Sequence, residues 1–339
     1  MMNHYYDYSL LEHNTFGIDA QCRQFLEYES GEEAHIIAQS LEPADYPLLI
    51  IGGGSNLLLT KDFPGTVIHS ALKGIYVVGE DDEYVYLMCG SGETWDDVVD
   101  YCVVSGWYGA ENLSLIPGDV GASAVQNIGA YGAEVCQIID EMEVVEIGTG
   151  EFRILKAEEC GYGYRQSKFK NEWKDKYLII SVTYKLRKHG ELHLEYGNIR
   201  AELERKGIEN PTLMQLRQTI IDIRNAKLPD WHVEGNAGSF FMNPVVDRKK
   251  YEELAALYPQ MPHYTIDAEH EKIPAGWMID QCGWKGKSLG KAGVHDKQAL
   301  VLVNRGGATG NDVVRLMEAI QKDVKERFGI EIKPEVNIR

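Results

Sequence analysis

Residues 48–57 read LLIIGGGSNL: a short apolar stretch runs into three consecutive glycines and two small polar residues. Four apolar residues stopped by glycine read as a buried strand entering a loop. Gly52, Gly53 and Gly54 let the backbone approach a ligand closely and turn several N–H groups toward an anion. The spacing is neither G-x-x-x-x-G-K-[ST] nor a G-x-G-x-x-G that opens a helix, so it is neither a P-loop nor the usual dinucleotide fingerprint. A tight turn and an anion cradle both remain open for this loop.

A second small-residue loop, LIPGDVGASAVQNIGAYGAEV, occupies residues 115–135. Its glycines fall at 118, 121, 129 and 132, with Gln126, Asn127 and Tyr131 among them. Two such loops in the N-terminal half suggest one long ligand carrying a pyrophosphate and a ring system. TVIHS (66–70), GIYVVG (74–79) and EYVYLMCG (83–90) read as strands, with EDDE as the turn between the last two. Thr94 opens a helix whose apolar face is Trp95, Val98, Val99, Cys102 and Val103, stopped by Gly106. Further strands are expected over 140–186 and helices over 187–228, with a break at LPD. RKKYEELAALY and NDVVRLMEAIQKDVKERFG read as helices, the second with Asn311 as N-cap and a core stripe of Val313, Met317, Ile320, Val324 and Phe328. IEIKPEVNIR reads as a terminal strand.

The bulk composition narrows the function classes. The chain has 339 residues, 25% charged and 44% hydrophobic, which suits two or three soluble domains. Its formal net charge of −18 argues against binding a nucleic-acid backbone or an anionic membrane surface. The six cysteines form no CxxC and no close Cys/His pair, so neither a disulfide framework nor a metal site is expected. Reduced thiols, no basic-then-apolar leader and no membrane-length apolar run together predict a cytoplasmic protein.

GNAGSFFMNP, residues 235–244, places Ser239 between small residues and two phenylalanines. Nucleophile, proton donor and turn residue are the three readings. GNAGSFF is not the G-x-S-x-G elbow, and a serine nucleophile needs a base within hydrogen-bond reach.

GGGSNLL, IPG-x-VG and QNIGAYG, in that order, resemble the flavin-binding domain of vanillyl-alcohol-oxidase (PCMH) type flavoproteins. YGYRQS (162–167), GNAGSFFMNP and PEV (334–336) extend the likeness over nearly the whole chain, to the UDP-N-acetylenolpyruvoylglucosamine reductase family. The resemblance implies an α+β protein: an FAD-binding domain in two lobes plus a C-terminal α+β substrate-binding domain. The expected divisions are 1–73, joined by a strand within 330–339, then 74–228 with a subtype insertion at about 187–222, and 229–329.

The resemblance also implies non-covalent FAD, NADPH as hydride donor and UDP-N-acetylglucosamine enolpyruvate as substrate, with no obligate protein partner. Gly52, Gly53, Gly54, Ser55, Asn56 and Leu57 would cradle the FAD pyrophosphate. Pro117, Gly118, Gly121, Gln126, Asn127, Gly129 and Tyr131 would line the rest of the flavin site. Hydride delivered to C3 of the enolpyruvyl group leaves negative charge at C2, spread into the carboxylate. Arg165 would hold that carboxylate, Glu335 would assist as a hydrogen-bonding acid, and Ser239 would protonate C2. Tyr196, Lys227, Asn243 and Gln298 would contact the UDP sugar. The family often has lysine after the two phenylalanines; here Met242 stands there, and the diphosphate contact would fall to Lys227 or the basic segment 285–297.

Two other functions compete. An oxidase on the same flavin fold could attach its flavin covalently, with His69 the nearest candidate. A non-enzymatic nucleotide-binding protein would leave Ser239, Arg165 and Glu335 without a common purpose.

Overall fold

A computed structural model describes residues 2–339. The chain divides into two compact units. The first comprises 1–8, 22–53 and 63–226, and the second 9–21, 54–62 and 227–339.

In the first unit, Phe63–Ser70 is flanked by Gln21–Tyr28 and Leu48–Ile51, both parallel to it, and Asn3–Ser9 lies beyond Gln21–Tyr28. A second, antiparallel sheet runs in the order Phe152–Lys156, Ile139–Glu146, Tyr177–Arg187, Tyr84–Gly90, Ile75–Glu80. The helix Gly31–Ser40 is started by Ser30, whose hydroxyl accepts from the Glu33 N–H. Its Ala34, Ile37 and Ala38 share one core with Leu26, Leu48 and Ile68 of the parallel sheet and Val145, Leu178 and Ile180 of the antiparallel one.

That core draws residues from both sides of position 73, where the sequence reading divides two lobes. The helix Trp95–Val104 buries its predicted face, Trp95, Val98, Val99, Cys102 and Val103. Arg217, on the helix Leu213–Lys227, is almost wholly buried and clasps it, donating to Asp96 at 2.7 and 3.1 Å and to Asp100 at 3.0 Å. The region 187–228 is helical only over Ile199–Arg205 and Leu213–Lys227. Within 140–186, residues 157–176 are turns and short 3-10 segments, not strand.

The second unit carries a sheet in the order Asn236–Ser239, Val301–Asn304, Ala292–Val294, Ser288–Leu289, and a three-stranded one of Val245–Asp247, His270–Lys272 and Tyr264–Thr265. The helix Gly310–Phe328 buries the expected stripe of Val313, Met317, Ile320, Val324 and Phe328. Its N-cap is Thr309, not Asn311. The Thr309 hydroxyl accepts from the Asp312 N–H (3.2 Å), and the Asp312 carboxylate accepts from the Thr309 N–H (2.8 Å). The expected terminal strand shortens to Asn337–Ile338, parallel to Leu57–Leu58. Both strands belong to the second unit, and the partner strand Leu57–Leu58 lies within the segment 1–73. Among the described residues no helix is long and apolar enough to cross a membrane.

Candidate active site

The glycine loop is tightly packed where side chains would stand. In the first unit, a Cβ on Gly52 would lie 3.0 Å from an Asp119 carboxylate oxygen and 3.1 Å from the Ala122 methyl; on Gly53 it would lie 3.3 Å from the other Asp119 oxygen. In the second unit, Gly54 has φ +63°, and a Cβ there would sit 1.9 Å from the His13 carbonyl oxygen. Bare backbone at three successive positions is what close approach to a diphosphate requires, so these residues fit the group. Asn56 is tied to the end of the chain: its amide donates to the Glu335 carbonyl (3.4 Å), and its own carbonyl accepts from the Asn337 backbone N–H (3.1 Å). Leu57 is buried beside it, and Ser55 is half-buried.

In the second loop, the helix Val120–Gln126 ends at Asn127, which is wholly buried at φ +46°. Its amide donates to Glu134 (2.8 Å) and to the Gly163 carbonyl (2.9 Å) and accepts from the Cys136 N–H (3.2 Å). That side chain is consumed as a joint between the QNIGAYG loop and YGYRQS. Gly121 packs against Ser91, where a Cβ would meet the Ser91 Cβ at 3.1 Å, and Gly118 turns the chain at φ +113°. Pro117 is exposed and Gln126 half-buried.

Arg165, at φ +55°, is docked on the same loop, donating to the Gly129 carbonyl at 2.8 Å and the Asn127 carbonyl at 3.4 Å. Tyr131 adopts φ +48°, and burial pushes its phenol above the usual value against the pull of Arg224. Tyr196, 42% exposed, lies over Gly132, 3.3 Å from where a Cβ would stand, while the Tyr131 ring lies over Gly197 in the same way.

In the second unit the backbone around Glu335 runs beside the segment that follows Ser239. The Glu335 N–H donates to the Phe240 carbonyl (2.8 Å), the Met242 N–H to the Lys333 carbonyl (2.9 Å), and Phe241 bridges Pro334. Ser239 ends its strand opposite Val301, with Gly238 at φ +67° turning the backbone just before it. Phe240 and Phe241 are buried, each removal from water contributing about 1.5–3 kcal/mol. They anchor Ser239, which stays half-buried with Glu335. Asn243 and Gln298 converge on the first turn of the helix Ala275–Gln281: Asn243 accepts from the Ala275 N–H (2.9 Å), and the Gln298 amide oxygen lies 3.2 Å from the Cβ position of Gly276. Lys227 is exposed where the chain enters this unit.

Two features escaped the sequence reading. His69 donates from Nδ1 to Glu27 at 2.8 Å, and its Nε2 stands 3.9 Å from Asp119. The ring set aside for covalent flavin is therefore flanked by two carboxylates. Arg224 hydrogen-bonds Tyr131, and burial lowers its pKa. It lies three residues before Lys227, one helical turn away, and that spacing was the available signal. Asp119 had only its place inside IPGDVG.

Residues 23–156 match the FAD binding domain family, and residues 230–339 match the C-terminal domain of UDP-N-acetylenolpyruvoylglucosamine reductase. A UDP-N-acetylenolpyruvoylglucosamine reductase of Bacteroides fragilis (strain YCH46) is 56% identical over 330 residues, covering 97% of this chain and 98% of that one. The same-named protein of Flavobacterium johnsoniae is 45% identical, covering 98% of each. The crystal structure of UDP-N-acetylenolpyruvylglucosamine reductase from Thermus caldophilus, 21% identical, has the same fold with a TM-score of 0.68, covering 100% of this chain and 98% of that one. The cofactor is FAD. With these relatives and both domain matches, the chain belongs to the UDP-N-acetylenolpyruvoylglucosamine reductase family of FAD-dependent oxidoreductases.

Proposed function

We propose that the chain reduces the enolpyruvyl ether of UDP-N-acetylglucosamine enolpyruvate to UDP-N-acetylmuramate, a step of peptidoglycan precursor synthesis, with NADPH as the hydride donor. When bound, FAD supplies the hydride-transfer chemistry. Gly52, Gly53, Gly54, Ser55, Asn56 and Leu57 hold its diphosphate, and residues of the 117–131 loop hold the remainder.

The chain's own residues manage charge and the proton. Arg165, its guanidinium aimed by the Gly129 carbonyl, takes the enolpyruvyl carboxylate and stabilises the charge that develops there. Ser239 delivers the proton to C2 from its hydroxyl, and Glu335 hydrogen-bonds the developing enolate as an acid. Tyr196, Lys227, Asn243 and Gln298 hold the UDP sugar. The six free cysteines support a cytoplasmic, reducing location.

The observation that carries this reading is the hydrogen bond joining the Ser239–Phe240 segment to Glu335. A backbone link between Glu335 and the residue after Ser239 supports assigning the proposed donor and the proposed acid to one site.

The test is anaerobic stopped-flow of Ser239→Ala. Bleaching of the flavin by NADPH should stay within about twofold of wild type. Recovery of colour on adding the enolpyruvyl substrate should slow roughly 10²–10⁴-fold, the range for a lost general acid. Equal slowing of both half-reactions would falsify the role of Ser239.

A further inference from the structure

Asp119 touches the glycine loop more closely than any other side chain on the first unit. Its two carboxylate oxygens lie 3.0 and 3.3 Å from the Cβ positions of Gly52 and Gly53, and it hydrogen-bonds the Gly53 backbone. Behind it stands His69, 3.9 Å away, whose other nitrogen is committed to Glu27 at 2.8 Å. All three side chains are mostly buried, at 14–19% exposure. Phe25 stacks on the His69 ring, with centroids 6.1 Å apart. Lys73 and Glu93 also face Asp119, but Lys73 is drawn toward Glu93 (3.7 Å) and the Gly92 carbonyl.

A carboxylate is thus built into the floor of a loop whose N–H groups suit an anion. An ionised Asp119 would repel a diphosphate dianion held by this loop; a protonated Asp119 would not. We infer that Asp119, backed by His69 and Glu27, couples flavin binding to the uptake of one proton, so that this chain holds FAD more tightly in mildly acidic than in mildly alkaline solution. The inference rests on reading Gly52 and Gly53 as part of the diphosphate cradle.

Burial, opposed by the charges of His69 and Lys73, raises the Asp119 carboxyl to about 6 in the flavin-free protein. A bound dianion raises it further. Affinity is therefore level below about pH 6 and falls as pH rises, by up to tenfold per unit, until the pKa of the bound state is passed.

The measurement is FAD binding to the flavin-free full-length chain, followed by quenching of flavin fluorescence from pH 5.5 to 8.5. For wild type the dissociation constant should rise at least fivefold across this range. For Asp119→Asn it should be level, and smaller than wild type at pH 8. Asp119→Glu, which restores a titrating carboxylate, should restore the slope. A level wild-type profile, or a slope that persists in Asp119→Asn, overturns the inference. Failure of FAD to bind wild type at any pH overturns the cradle itself, and the inference with it.

Discussion

Arg165 shows how much one side chain depends on backbone it does not own. Its guanidinium is aimed by two carbonyls of the QNIGAYG loop, and that loop is held in turn by the buried amide of Asn127. Lysine has a compact ammonium and cannot make both contacts while presenting a planar fork to a carboxylate. Arg165→Lys should therefore lower kcat/KM for the enolpyruvyl substrate by about 10–100-fold, leaving FAD content unchanged. Steady-state kinetics with a flavin spectrum checks both, and near-wild-type kcat/KM would remove the carboxylate contact.

At this scale the sequence was most legible where a residue's neighbours in space are its neighbours in the chain. Gly54 could be read as a bare-backbone position from GGGS alone. Asp119 could not, because its meaning comes from Gly52, Gly53 and His69, which are 50–67 positions earlier in the chain.

At the level of elements, local rules served the helices well. The 3.6-residue spacing identified the buried faces of Trp95–Val104 and Gly310–Phe328 correctly. The cap of the second helix was misplaced by two residues because Asn311 is an acceptable cap in isolation. Thr309 wins because Asp312, three residues on, closes a reciprocal box with it, which Asn311 cannot do. Thr309→Ala should cost about 1 kcal/mol and lower Tm by about 2–4 °C, with FAD binding unaffected. Thermal denaturation reads the first and flavin titration the second; an unchanged Tm would mean the box contributes nothing.

Strands were harder to bound. IEIKPEVNIR alternates convincingly, yet only two of its residues pair as strand, because their partner is the two-residue segment Leu57–Leu58. Glu335 lies just outside that pairing. Removing residues 335–339 would therefore strip a strand along with a carboxylate, and Glu335 is better probed by a point substitution.

Across the whole molecule, the division into units does not follow the order of the chain. The backbone passes between them after residues 8, 21, 53, 62 and 226. The crossing after Gly53 falls inside the glycine run and the last beside LPD; the other three carry no break signal, so the sequence suggested contiguous segments.

The fragment 227–339 looks like a domain in sequence, yet it lacks the carbonyl of Thr15 that accepts from the Asn236 N–H and the strand that pairs with Asn337–Ile338. Expressed alone, it should give a poorly dispersed amide NMR spectrum. Dispersion like that of a folded protein would show that 9–21 and 54–62 are dispensable.

The pairing of Leu57–Leu58 with Asn337–Ile338 also sets a schedule. The two partners are 280 positions apart, so at roughly 5–20 residues per second the ribosome makes the second about 15–60 s after the first. Through that interval Leu57, Leu58 and Leu59, all buried in the finished protein, wait on the nascent chain without the strand that completes their edge. The second unit cannot close until Asn337–Ile338 has been made, some 280 residues after the strand it completes.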